Sequence, residues 1–205
     1  MKLLLKYINI SICLFLAACA GNQVKTSIDA NVESQVIEIP KQAAKDFTVA
    51  IGLMNQGQLE QALTAFIAMT KTYPMLSGPY ANIGVIYSRQ EKWEEAVQAL
   101  NTAVDKNPKN TKALNQLGFA LRHQGDFDGA EKAYLKAIKV DSRFAESYLN
   151  IGILYDIYMG KFVKASDFYQ KYQSLQTEPD RQVAGWIVDI NRRAGIKSQI
   201  AGDAP

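Results

Sequence analysis

Cysteine is nearly missing from this chain. Among 205 residues there are two, Cys13 and Cys19, and none follows. Beyond that point no disulfide can brace the fold and no thiolate cluster can hold a metal. Histidine is scarcer still: His123 stands alone, which removes a multi-histidine metal site and a second histidine for a proton relay. No glycine-rich phosphate loop appears. Neither sign of charge dominates, with 23 Lys and Arg against 20 Asp and Glu. They are interspersed, with no basic tract of the kind that tracks nucleic acid. The adjacent acids Glu94 and Glu95 fall on a helical pattern where a solvated face accounts for them. These absences argue against an enzyme, call for no cofactor or metal, and leave binding as the function class to pursue.

What is present begins at the N-terminus. Lys2 and Lys6 precede an apolar stretch from Leu3 to Leu16, and Ala17 and Ala18 follow. That order is an n-region, an h-region and a small-residue processing site. The stretch is short for a spanning helix, which needs roughly 20 apolar residues. Leu16-Ala17-Ala18-Cys19 resembles the lipobox of bacterial lipoproteins. The resemblance implies that residues 1–18 are a signal peptide and that the Cys19 thiol takes a diacylglyceryl group and becomes the mature N-terminus. Ala20 and Gly21 follow, with no Asp to retain the protein at the inner membrane. This implies the outer membrane, periplasmic face, with attachment through the N-terminal lipid. Losing Lys2 and Lys6 lowers the formal charge from +3 to +1. Residues 19–42 then hold the lipidated cysteine and a polar tether. A flexible coil of about 20 residues spans roughly 25 Å. "VIEI" near its end alternates like a strand, but an extended linker ending at Pro40 is the favoured reading.

After residue 40 one period governs the text. Gly84, Gly118 and Gly152 are each 34 residues apart, and Ala50 stands 34 before Gly84. Around them "FTVAIGL", "ANIGVIY", "NQLGFAL" and "LNIGILY" align. Ala62, Ala96 and Ala130 recur at one offset, and Phe66, Leu100 and Tyr134 recur four further on. Pro74 and Pro108 close two units. This resembles the tetratricopeptide repeat, whose pattern sets a bulky residue, Leu-Gly, Tyr, Ala, a large residue and Pro at fixed offsets. The resemblance implies an all-α superhelical solenoid of about four helix-turn-helix repeats over 43–178, with units near 43–76, 77–110, 111–144 and 145–179. The glycines are expected where the paired helices cross, with the alanines as their small partners. The large residues should fill the gap to the next unit. "QGQ", "QEK" and "QGD" mark the turns, and Asp126 is placed to cap the helix after it.

The fourth unit carries one extra residue, since its alanine falls at Ala165 rather than 164. The first helix there is expected to lengthen or bulge near Tyr158 or Met159, leaving Ile157, Tyr158 and Met159 at an exposed corner. Val183, Trp186, Ile187 and Ile190 then recur at helical spacing, with charges on other faces. Residues 180–194 read as a capping helix that keeps the solenoid soluble, and 195–205 as a tail.

In such repeats the first helix of each unit lines a concave groove. Carried over by register, the groove-facing residues are Phe47, Ile51 and Met54 of the first unit and Ala81, Asn82, Val85 and Arg89 of the second. The third unit adds Lys112, Asn115, Gln116, Phe119 and Arg122. The fourth adds Leu149, Asn150, Ile153 and Ile157. His123 reads as a surface residue near a helix end. Too few charges occupy these positions for a ring that grips a terminal carboxylate. An apolar groove with a polar fringe suits an amphipathic or extended apolar segment. The function implied is a non-enzymatic, lipid-anchored adaptor in the bacterial envelope, docking another envelope protein or peptide segment, or a second copy of itself. Pilus or secretion-machine assembly is the leading context, and recruitment of peptidoglycan hydrolases or of cell-wall and division machinery is the alternative.

Overall fold

The computed structural model describes residues 38–196. The signal segment, Cys19, the tether up to residue 37 and the tail beyond 196 lie outside the described residues. Within them the chain is helical, with no strand. Four antiparallel pairs follow one another: α1 (Lys41–Asn55) with α2 (Leu59–Thr72), α3 (Ser77–Arg89) with α4 (Trp93–Lys106), α5 (Thr111–Gln124) with α6 (Phe127–Val140), and α7 (Ala145–Ile153) with α8 (Phe162–Ser174). α9 (Arg181–Arg193) closes the array. α1 starts at Lys41, two residues ahead of the expected unit boundary, directly after Pro40.

At the starts of α5, α6 and α9 a side chain satisfies free backbone N–H groups. Asp126 Oδ1 accepts from Gly129 N at 2.8 Å. Asn110 Oδ1 accepts from Ala113 N at 3.0 Å. Asp180 Oδ1 accepts from the Gln182 and Val183 amides at 2.9 and 3.1 Å. The turns inside the units repeat as well. Gly57 (φ 76°), Glu91 (φ 58°) and Gly125 (φ 91°) hold the same left-handed conformation at one register position, and Glu91 does so with a side chain.

Glycine sets the spacing within units 2 to 4. A methyl group added at Gly118 would lie 2.6–2.9 Å from three ring atoms of Tyr134, and at Gly152 it would lie 2.5 Å from Tyr169. At Gly84 it would run into Leu100. The close partner of each glycine is thus the large residue of its own second helix, not the alanine four earlier. The expectation that the alanines are the glycines' partners is corrected accordingly, and the large residues do more than fill the gap to the next unit. Tyr134 seats on its own glycine and also joins a cluster with Ile151, Leu154 and Tyr155 of the following unit. Ala62, Ala96 and Ala130 are fully buried around these contacts. Three apolar clusters centred on Phe66, on Leu100 and Leu114, and on Tyr134 and Tyr169 form the core in chain order.

Consecutive helices pack on each other, and α3 also touches α5 and α5 touches α7. The first helices therefore stand side by side and form one wall. Hydrogen bonds across units hold their register. Asn110 Nδ2 donates to Ser77 Oγ at 2.7 Å, and Gln90 Nε2 donates to Glu60 Oε1 at 2.8 Å. Asp46 occupies the bulky position of the first unit and accepts from the Tyr73 hydroxyl at 3.1 Å.

The inserted residue of the fourth unit is absorbed by a π-helical turn, Leu154–Tyr158, in which Met159 N reaches back five residues to Leu154 O at 3.1 Å. The bulge is the expected one. Ile157 and Tyr158 are exposed there, and Met159 is half-buried. α9 docks by burying Val183 and Ile190. Polar ties add to this: Ser166 Oγ donates to Asn191 Oδ1 at 2.7 Å, and Arg193 pairs with the buried Asp156 at 3.1 Å.

Candidate functional site: the concave groove

The first helices of the four units enclose an open hollow of about 750 Å³. Of the residues carried over by register, Phe47, Asn82, Val85 and Arg89 line it, as do Lys112, Asn115, Phe119, Leu149 and Asn150. Ala81 and Gln116 line it too. Three site residues do not. Ile51 turns into the first core cluster beside Phe66, and Ile153 packs into the last. Arg122 is buried, 7% exposed, between rings rather than on the open wall. Met54 and Ile157 also lie away from the hollow, Met54 in the first cluster and Ile157 exposed at 66%. The structure adds Ser88, Asn110, Phe144 and Glu146 to the lining. The signal for two of these was in the register: Phe144 stands 34 after Asn110, and Glu146 stands 34 after Lys112. Of the residues just before and just inside each first helix only Lys112 was carried over, whereas Asn110, Phe144 and Glu146 also face inward.

The apolar part is made by Phe47, Val85, Phe119, Phe144 and Leu149. The polar fringe is organised. Asn115, itself buried, accepts through Oδ1 from both Ser147 Oγ and Asn150 Nδ2 at 3.1 Å. Asn82 Nδ2 donates to Gly78 O at 2.9 Å. The Asn82 and Asn150 carbonyl oxygens thus remain free to accept. Arg89 and Lys112 are exposed and form no ion pair among the described residues, while Glu146 is the lone acid of the lining. At one end Phe119 touches an aromatic stack. Trp93 and His123 lie parallel with centroids 4.3 Å apart, and Phe119 sits 4.5 Å from the His123 ring. Burial and the charge of Arg122 hold the His123 imidazole below its ordinary pKa, against a weaker opposite pull from Glu91. At neutral pH it is an uncharged flat ring. His123 is exposed, as expected, but its place in the stack was not legible, because Trp93 comes from the neighbouring unit.

Chemically, these walls can bury apolar side chains and hydrogen-bond a main chain. Among the described residues no group of three His, Cys, Asp or Glu could hold a metal ion, and no helix is long and apolar enough to cross a membrane.

Residues 82–148 match the family model described as tetratricopeptide repeat. The fold around this groove is that of a tetratricopeptide-repeat solenoid, a class of generally non-catalytic protein-interaction scaffolds. The chain is 32% identical over 108 residues to human Protein O-mannosyl-transferase TMTC1, covering 51% of this chain and 12% of that protein. It is 33% identical over 99 residues to the Lipoprotein NlpI homolog of Haemophilus influenzae, covering 48% of this chain and 31% of that one. It thus spans under a third of the length of these curated relatives. Among solved structures it is similar to Pseudomonas aeruginosa pilF, with a TM-score of 0.67, 19% identity, and coverage of 74% of this chain and 68% of that chain.

Proposed function

We propose that this protein is a non-enzymatic adaptor of the bacterial envelope, tied by a lipid on Cys19 to the periplasmic face of the outer membrane, that holds a segment of another envelope protein in its concave groove. The observation that carries the binding role is the groove itself. Its apolar floor, free amide carbonyls and unpaired Arg89 and Lys112 form a continuous surface on the first helices. Leu16-Ala17-Ala18-Cys19 supports the anchor, and a relative named as a lipoprotein supports the same reading. Several lipid chains would be needed for stable attachment. Assembly of a pilus or secretion machine remains the leading context.

A photo-crosslinker placed at Phe119 or Leu149 in cells should capture one partner protein, while the same group at Leu135 or Val163 on the second helices should not. Adducts confined to the second helices would contradict the groove reading. Mass spectrometry of the mature N-terminus tests the anchor separately, since an unmodified Cys19 contradicts it.

A further inference from the structure

Arg122 is the one arginine among the described residues that is more than nine-tenths buried, and it has no counter-charge. Its Nε and Nη1 are shut off from solvent and meet no acceptor among the described residues. Among the described residues no carboxylate comes within ion-pair distance of it, and two acids of the neighbouring helices are engaged with other groups. Asp156 pairs with Arg193 at 3.1 Å, and Glu131 receives the Tyr155 hydroxyl at 2.7 Å and faces Lys161. What surrounds the guanidinium is aromatic. Its carbon lies 5.2 Å from the Phe119 ring, a groove wall, and 5.5 Å from the Tyr158 ring. Cation–π contact offsets only part of the cost of burying an ion without a partner. A second lone donor lies within the reach of this charge: the buried Tyr134 hydroxyl also lacks a partner.

We propose that Arg122 receives an acidic side chain, Asp or Glu, of the segment bound in the groove. This rests on the groove reading above and specifies its ligand. The acid enters beside Phe119, the one ring that both lines the groove and stacks on the guanidinium. The Tyr134 hydroxyl can donate to its second oxygen. A carboxylate fits better than a phosphoryl group, whose nearly two negative charges would leave one uncompensated beside a single cation. The rest of the lining agrees in sign, with Arg89 and Lys112 against Glu146. A cation kept at a cost in stability, next to a binding wall, fits a binding role better than a structural one.

The test uses the full chain in detergent and random peptides displayed with their C-termini fused, so that no terminal carboxylate is offered. Retained peptides should carry Asp or Glu among apolar residues. Changing that acid to its amide should weaken binding at least tenfold to the native chain and leave binding to Arg122→Met unchanged. Arg122→Met should melt at or above the native temperature, and Arg122→Lys should keep part of the discrimination. Peptides without acids, an amide penalty that survives in Arg122→Met, or a melting temperature lowered by the methionine would each overturn the proposal. If instead no retained peptide is lost on Phe119→Ala, the groove reading itself fails.

Discussion

One absent carbon at Gly118 fixes how closely α5 and α6 can pack, because the Tyr134 ring occupies the place a methyl group would need. Tyr134 is fully buried and cannot retreat. Gly118→Ala should therefore cost about 1–3 kcal/mol as overpacking. Gly52 is the control, since a methyl group there meets nothing within 4 Å. Gly52→Ala should be neutral or stabilise by up to about 1 kcal/mol through helix propensity alone. Urea unfolding of both variants checks the pair, and equal midpoints would contradict the packing. The glycines were legible because a missing side chain recurring every 34 residues has few explanations. Their true partners were not. Whether an alanine or a tyrosine of α6 faces Gly118 depends on the helix rotation, which period alone leaves open. Arg122 shows the same limit: register placed it on the groove side, but the rings that cover it come from two different units.

The π-helical turn and α9 belong together as elements. The extra residue was visible as a shift of the repeat, and so was the bulge that absorbs it. The destination of Asp156 was not, because its partner Arg193 lies beyond the last full unit, where the period gives no guidance. That pair joins a buried carboxylate, 8% exposed, to a guanidinium 42% exposed, which also lies 4.1 Å over the Phe162 ring. Arg193→Ala leaves Asp156 buried and unpaired. Discounted for the exposed partner, the loss should be about 1–2 kcal/mol. It should be local. Amide hydrogen exchange should quicken across α9 before it does in α5 or α6. Unchanged protection of α9 would show that Val183, Ile190 and the Ser166–Asn191 bond hold it unaided.

Across the whole array, tyrosines concentrate in the fourth unit, which holds Tyr148, Tyr155, Tyr158, Tyr169 and Tyr172, with Tyr134 packed against it. Burial raises the hydroxyl pKa of Tyr134, Tyr148, Tyr155, Tyr169 and Tyr172 above the ordinary value of 10.0, with Glu131 adding to the effect at Tyr155 and Asp180 at Tyr172. The sign follows by linkage. The folded chain holds these protons more tightly, so their contribution is intact below the unfolded pKa near 10 and is lost as pH rises beyond it. The melting temperature should stay level up to about pH 10 and fall above it, with exchange rising first in α5 to α8. A level profile past about pH 11 would contradict the burial of these rings. The solenoid was legible in the sequence because each unit repeats the same solution to the same packing problem. The groove was legible only along the helix positions that repeat. Phe144 and Glu146 at the helix entry repeat Asn110 and Lys112 and were within reach of the period, whereas the aromatic stack at the other end depends on contacts between neighbouring units.

The side-chain amides offer the most direct test of the groove. In NMR spectra of the full chain, adding a peptide retained in the display selection should shift the Asn82, Gln116 and Asn150 amide signals. Those of Gln173 and Asn191, tied into the α8–α9 junction, should stay in place. Shifts confined to Gln173 and Asn191, or none from a peptide that does bind, would contradict the concave wall as the binding surface.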